Sequence, residues 1–504
     1  MATLLPFVLE KNGKIELNNE ILDKIKKSKN PRFILSYGDT RQGKSTTLNQ
    51  LIRHNKQSLK FINSFPFKSY NSAHSITKGC DIYGPIKASE LINRHNLNIN
   101  IDNDFDVFFC DTEGLSSLDG IQTKSIPGIL TLLEISTISF SIVHNTIKSN
   151  DVKNICSQIQ LSNLIENNLI KNFVTIYISN IFTGENEEDE EDEDFDAYKE
   201  KYKKSVEINK KRILNEVKKK YPELNFLYED FEVVAGGPYQ SRKQEPNPDE
   251  IEVQLYWNSI HELMSVFFKH KGNDINQEEI TDYIKILFGI FSKIDIEKIK
   301  DDFNLENLIK TLITKSFEEY SKMKFQEKIN KIKEEIKDKL IDYIEILKDD
   351  NKAKESLKSC LNKTHSKIYN KLIPDKIIAF LDTSIEKYRN LIRKQIDKEF
   401  NSICNNIISK DNINFLIKDI IHMINISEFK EDINMDLINQ KEKFWDEIYE
   451  KNKIIFNYFK ESRPAIVDNL KERFFSIINS ILQNLLSQKI MWSEFLKDSL
   501  SSIE

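Results

Sequence analysis

The sequence predicts an α/β domain with a mainly parallel sheet and helices on both faces, followed by an all-α helical domain. Three observations predict it. All thirteen glycines fall between Gly13 and Gly289, and none follows. Short β-rich apolar runs alternate with helical runs through the first half, the pattern of strands joined by crossover helices. Beyond that, apolar residues recur at steps of three and four, the spacing of helices with one buried face.

The elements follow in chain order. Val8 to Leu17 holds two strand-like arms around Asn12-Gly13, a pair suited to the tight turn of a hairpin. Residues 1–30, the hairpin and a short helix, are assigned to the first domain, whose body is 31–272. Within it, Arg32 to Ser36, Asp106 to Cys110, Ile138 to Val143, Phe173 to Ile178 and Phe231 to Val234 read as buried strands. Helical patterns lie between them, for example Lys44 to Arg53 and Val152 to Leu169. Residues 185–196 are almost wholly acidic. They are expected to form a disordered, solvated insert before a helix that starts near Tyr198.

Residues 273–504 form the predicted helical domain. In the stretch without glycine only Pro374 and Pro464 could interrupt a helix. Phe325, Ile329, Ile332, Ile336, Leu340, Tyr343 and Leu347 make one apolar stripe. Leu381, Ile385, Tyr388, Ile392, Ile396, Phe400, Ile403 and Ile407 make another. Each reads as the buried face of a helix in a bundle or packed stalk. The last stripe, Ile466, Leu470, Phe474, Ile477, Ile481 and Leu485, is the best candidate for the alternative, a helix lying on a membrane surface.

Bulk composition narrows the function. A chain of 504 residues suggests two to four domains. With 39% hydrophobic and 30% charged residues it has material for real cores under a charged surface. The net charge of -6 gives no global basic field, so nucleic acid is not an expected partner. The five cysteines, Cys80, Cys110, Cys156, Cys360 and Cys404, are odd in number and form no C-x-x-C pair. Neither zinc nor a disulfide framework is suggested, and a reduced compartment fits best. The first residues lack a signal-peptide pattern, Ala2 excludes N-myristoylation, and the last residues carry no prenylatable cysteine. No apolar run approaches the roughly 18–20 residues needed to span a bilayer. The expectation is a soluble, cytoplasmic protein, with peripheral membrane contact through an amphipathic helix as the open alternative.

Three segments carry chemistry. Gly38-Asp39-Thr40-Arg41-Gln42-Gly43-Lys44-Ser45 fits G-x-x-x-x-G-K-[ST], the phosphate-binding P-loop of NTPases. Gly38 and Gly43 let the backbone wrap closely, so that N–H groups point at phosphates. Lys44 brings a cation to the β- and γ-phosphates, Ser45 ligates Mg²⁺, and the following helix aims its positive end at the anion. Gln42 and Thr46 complete the residues expected to line the nucleotide there. Asp106-Val107-Phe108-Phe109-Cys110-Asp111-Thr112-Glu113-Gly114 is the second segment. A buried strand would deliver Asp111 to the carboxyl edge of the sheet, to hold Mg²⁺ through water, while the Gly114 N–H meets the γ-phosphate. Ser75-Ile76-Thr77-Lys78-Gly79 lies between the two. Thr77 stands where a switch threonine would ligate Mg²⁺ and contact the γ-phosphate. From its residues alone a solvated loop threonine is as good a reading.

Taken together, Gly-x-x-Arg-x-Gly-Lys-Ser, Ser-x-Thr-Lys-Gly and Asp-Thr-Glu-Gly-Leu resemble the guanylate-binding protein and atlastin group of the dynamin-like large GTPases. The Pro6-to-Leu17 hairpin with its short helix, and Val143-His144-Asn145-Thr146-Ile147, are similar to segments of that group. The resemblance covers roughly residues 5–270; beyond them only the layout matches, a helical domain after the G domain. It implies hydrolysis of GTP to GDP and phosphate with Mg²⁺, and pairing of two G domains face to face in a homodimer. It implies that Arg41 is a catalytic arginine supplied in cis, a group that can be worth roughly 10³–10⁵ in rate. It also implies that Ser75 and Glu113 orient the attacking water, there being no obvious Gln after Gly114. One departure matters. Where the group reads guanine with an Arg-Asp pair, Phe173 to Asn180 offers neither, and N-K-x-D is absent. Asn180 could supply a carbonyl, a weaker acceptor than a carboxylate for the guanine edge, or could simply end the strand in a turn. Guanine preference therefore comes from the resemblance. A nucleotide-gated scaffold with little hydrolysis, or an ATPase with a helical arm, are the rival readings.

Overall fold

The structure is a computed structural model and describes residues 2–11, 14–38, 43–53, 66–67, 80–112, 126–144, 147, 151–152, 155, 170, 172–179, 195–220, 222, 231–236, 251–272, 274–293, 305–409, 411–413, 415, 418 and 433–501. Among these the strands are β1 (Thr3–Pro6), β2 (Val8–Lys11), β3 (Lys14–Leu17), β4 (Arg32–Tyr37), β5 (Cys80–Lys87), β6 (Asp106–Thr112), β7 (Ile138–His144), β8 (Phe173–Ser179) and β9 (Phe231–Ala235). The helices of the first half are α1 (Asn19–Lys27), α2 (Lys44–Arg53), α3 (Ala88–Arg94), α4 (Ile126–Ile135), α5 (Phe195–Lys220), α6 (Ile251–Lys269) and α7 (Gln277–Phe291). Later come α8 (Leu305–Glu335), α9 (Leu340–Lys348), α10 (Asp350–Cys360), α11 (Lys363–Leu372), α12 (Pro374–Ile407), α13 (Ile433–Lys451), α14 (Lys453–Ser462) and α15 (Pro464–Ser501).

The described residues fall into two compact units, Met1–Glu319 with Asn362–Ile377, and Tyr320–Leu361 with Ile378–Glu504. The first holds a seven-stranded sheet in the order β1-β5-β6-β4-β7-β8-β9. The five expected strands are all present and run parallel as β6-β4-β7-β8-β9. Two more strands lie at one edge and run antiparallel to their neighbours: β5 pairs with β6, and β1 with β5. Gly84-Pro85 in the middle of β5 reads as a turn in sequence. The sheet absorbs it as a register shift between Tyr83 and Ile86, because proline cannot donate to the ladder. The hairpin arms pair as expected, Val8 with Leu17 and Lys11 with Lys14, as a separate two-stranded sheet; the turn residues Asn12 and Gly13 lie outside the described residues.

The sheet is covered on both faces because its central strands alternate between two apolar sets. Phe33, Leu35 and Tyr37 of β4, with Phe108 and Cys110 of β6, share a core with α1, α4 and α7. Ile34, Val107 and Phe109 face the other way, into a core with α2, α3 and α6. A third core joins Ile176 and Val233 to Ile213 and Val217 of α5. The acidic run through residue 194 lies outside the described residues, and α5 opens at Phe195. Of the expected helix from Val152 to Leu169, only 152 and 155 are described, both helical.

Asparagines hold the corners of this unit. Asn18 caps α1 by accepting from the Glu20 N–H at 3.0 Å, and donates to the Pro6 carbonyl at 2.8 Å. Asn30, at φ 50°, accepts from Arg32 at 2.9 Å and from the Ile275 N–H at 2.6 Å. Arg32 itself is buried and pairs with Asp274 at 3.4 Å. Burial pulls its guanidinium down to about 10, against the opposing pull of Asp274.

The second unit is helical around one core. The first apolar stripe was expected on a single helix, and the structure corrects this: α8 ends at Glu335 and α9 begins at Leu340. Neither Gly nor Pro breaks the chain there. The intervening turn keeps the helical bonds of Ile336 to Ile332 (3.0 Å), Lys339 to Glu335 (3.0 Å) and Tyr343 to Lys339 (3.2 Å). The stripe therefore stays in phase, and all seven of its residues reach the same core. The second stripe lies on α12 as expected, and Phe400 stacks on Phe459 of α14 at 4.1 Å. On α15 the buried line is Val467, Leu470, Phe474 and Ile478, with Ile466 and Ile477 half-buried. Over these turns the apolar face is occupied by the core. Pro374 and Pro464 open α12 and α15, the position where a missing N–H costs nothing. No helix among the described residues is long and apolar enough to cross a membrane.

Candidate functional site

β4 is buried at every residue and ends on Tyr37. Its neighbours β6 and β7 lie on opposite sides, and the chain leaves β4 toward β5 and β6 before returning to β7. The carboxyl end of β4 is thus a topological switch point, where open α/β sheets form a crevice. Two glycines flank the connection that starts there. Gly38 has φ 139° and Gly43 φ 83°, values side chains rarely adopt. A Cβ on Gly43 would meet nothing within 4 Å, so backbone angle alone requires glycine there.

Gly43 starts α2 by accepting from the Thr47 N–H at 2.8 Å. No acidic side chain lies in the first turn of α2. Its positive end and first N–H groups, at Lys44, Ser45 and Thr46, are therefore not offset by a carboxylate of the same helix. Lys44 is only 7% exposed, while Ser45 and Thr46 are half-buried. Burying an ammonium is costly unless it is paired and hydrogen-bonded.

The Ser45 hydroxyl donates to Asp111 Oδ2 at 2.6 Å. β6 carries Asp111 into register with Ser36, one strand away. The bond between Thr112 Oγ1 and the Ser36 carbonyl, 2.9 Å, ties the ends of β6 and β4 together. A hydroxyl and a carboxylate oxygen side by side are hard ligands of the kind magnesium takes, and they fit that ion. Cys110, next to Asp111, is kept a neutral thiol: burial pushes it up, with the Asp111 charge adding to the effect.

Of the residues singled out in the sequence, the structure brings Ser45 and Asp111 together, with Gly38, Gly43, Lys44 and Thr46 around the start of α2. Arg41, Gln42, Ser75, Thr77, Glu113, Gly114 and Asn180 lie outside the described residues. Cys80, which follows the Thr77 segment, pairs with Thr112, and so enters the sheet at the edge where Asp111 lies. Ser179, the last residue of β8, donates to the Val143 carbonyl at 3.2 Å.

Sequence reasoning missed the residues that hold α2 in place. Asn49 donates to the Phe67 carbonyl at 2.8 Å and accepts from the Phe67 N–H at 3.0 Å. This pins Phe67, which lies between α2 and β5 in the chain, against the helix. At the far end, His95 Nε2 meets the Leu51 carbonyl at 2.8 Å, and its Nδ1 meets His261 Nδ1 at 3.0 Å. A carbonyl only accepts, so His95 carries its proton on Nε2. Its neutral Nδ1 then accepts from His261 Nδ1–H. Burial, helped by Arg94 and opposed by the Leu51 bond, lowers His95 to about 4. No sequence pattern sets Asn49 apart, since α2 also buries Lys44, Thr47 and Gln50.

No known protein family matches the chain, and no curated protein matches it either.

Proposed function

We propose that the chain binds a nucleoside triphosphate at the start of α2 and hydrolyses it, with GTP the expected nucleotide and magnesium the expected cofactor. The observation that carries this reading is the Ser45–Asp111 pair, 2.6 Å apart at the switch point of the sheet, near the positive-φ glycines Gly38 and Gly43 and the buried Lys44. Phosphates would be gripped by α2 N–H groups and Lys44, whose charge is worth more there than in water. Ser45 and Asp111 would hold magnesium, Asp111 through water. Bound there, the ion supplies neutralising charge to the phosphate oxygens. Thr112 and Asn49 act as positioning residues, fixing the strand end and the helix.

The remaining roles come from the motifs. Arg41 would stabilise charge on the transferring phosphoryl group, Ser75 and Glu113 would orient the attacking water, and Thr77 and Gly114 would sense the γ-phosphate. Gln42 would line the phosphates. Pairing of two such domains on GTP binding is part of the same proposal. Asn180 stands where a carboxylate would read guanine, which favours a second reading, a nucleotide-gated scaffold with slow hydrolysis.

The test is titration of the purified chain with GTP, GDP and ATP in magnesium buffer, with single-turnover hydrolysis and mass measurement in a transition-state mimic. Lys44→Ala should abolish tight binding, whereas Arg41→Ala should spare binding and lower kcat. Failure of the chain to bind either triphosphate at millimolar levels refutes the proposal. Hydrolysis no faster than that of free GTP selects the scaffold, and displacement of GTP by excess ATP selects an ATPase.

A further inference from the structure

The end of β6 away from Asp111 borders an open cleft of about 650 Å³, within the range of small-molecule sites. Lys24 and Lys27 of α1, Lys87 of β5 and Arg94 of α3 line it, against the carboxylates Glu90 and Asp106. The cleft is therefore net positive in a chain whose net charge is -6. Its carboxylates are already engaged. Asp106 is buried and accepts from Lys87 at 2.8 Å and from the Lys29 N–H at 2.7 Å, and Glu90 pairs with Arg94.

The cations keep donors in hand. Arg94 gives one N–H to the Ile52 carbonyl and one to Glu90, out of five. Lys87 has three and gives one contact to Asp106. Lys24 is turned to Thr3 and Glu20. Lys27 is exposed and makes no ion pair among the described residues. Tyr83 and Pro85, on the shifted part of β5, supply an apolar wall. Several free donors beside an apolar wall match a ligand with a multiply charged head and a carbon body.

We propose that this cleft binds a phosphorylated small molecule, its phosphate among Lys27, Lys87 and Arg94 and its carbon skeleton along Tyr83 and Pro85. The site is separate from the Ser45–Asp111 end, and the inference stands whether or not that end takes nucleotide. The shared chemistry is a phosphate ester, free or on a lipid headgroup.

The test uses the full chain carrying Lys44→Ala, so that anions have no grip at α2. Inositol hexakisphosphate is titrated by calorimetry, and phosphatidylcholine vesicles with and without phosphatidylinositol phosphate are sedimented with the protein. Saturable binding of the soluble probe, or of the phosphoinositide vesicles alone, is expected. Lys27→Glu should weaken it by roughly tenfold or more, and Lys27→Arg should preserve it. Lys218→Glu makes the same charge change on exposed α5 and should leave it unaltered. Binding by neither probe, or equal weakening by Lys27→Glu and Lys218→Glu, overturns the proposal.

Discussion

Removing the Ser45 hydroxyl is the most informative single change. In Ser45→Ala the 2.6 Å bond to Asp111 Oδ2 disappears, and Asp111 is only 1% exposed. A hydrogen bond to a charged acceptor contributes about 1.5–3 kcal/mol, and water has poor access to replace it. The nucleotide-free chain should therefore lose about that much unfolding free energy in urea. Ser45→Thr, which keeps the hydroxyl, should lose much less. The same hydroxyl is a proposed magnesium ligand. In free-energy terms an equal loss there corresponds to roughly 10- to 100-fold more magnesium for half-maximal GTP binding. Isothermal titration at several magnesium concentrations reads this directly. An alanine variant as stable as the parent, with an unchanged magnesium requirement, would refute the reasoning. A stability loss with no magnesium effect would make the bond structural and remove Ser45 from the site.

Other perturbations test other parts of the molecule. Thr112→Val keeps the shape but removes the 2.9 Å bond to the Ser36 carbonyl, so about 0.5–1.5 kcal/mol should be lost in urea titrations. Burial lowers His95 to about 4 from its ordinary 6.5, so the unfolded chain binds the proton and the folded chain does not in the window between. Stability should be complete above pH 6.5 and fall by about 3 kcal/mol as pH drops toward 4, with a shallower slope in His95→Gln. Denaturation curves taken across that range check the sign; a slope unchanged in the variant means other groups dominate. Phe459→Ala opens a cavity beside Phe400 in the helical core and should cost about 3–5 kcal/mol, visible as early loss of helical circular dichroism.

The legible parts were those governed by local rules. Five parallel strands were readable because strands buried on both faces are continuous apolar runs. The opening of α2 was readable because few residues tolerate the angles at Gly38 and Gly43, and because Lys and Ser follow at fixed spacing. Two strands were not. β1 is too short to signal itself, and β5 carries Gly84-Pro85, which in isolation reads as a turn. Pairing with β6 on one side and β1 on the other overrides that preference. The break between α8 and α9 was invisible for the opposite reason: the apolar period runs through it without interruption.

By itself, then, the sequence determined the layers, the glycine-flanked opening of α2 and the end of β6 on which Asp111 would emerge, since periodicity and backbone permissiveness are properties of neighbouring residues. Tertiary structure alone decided which partners meet. Ser45 reaches Asp111 across 66 residues, and His95 reaches His261 across 166. The cleft around Lys27 is built from α1, β5 and α3, segments that share no pattern. Contacts at such separations depend on how the sheet orders and aligns its strands. That order is set by the burial of whole faces, which no short stretch of chain encodes.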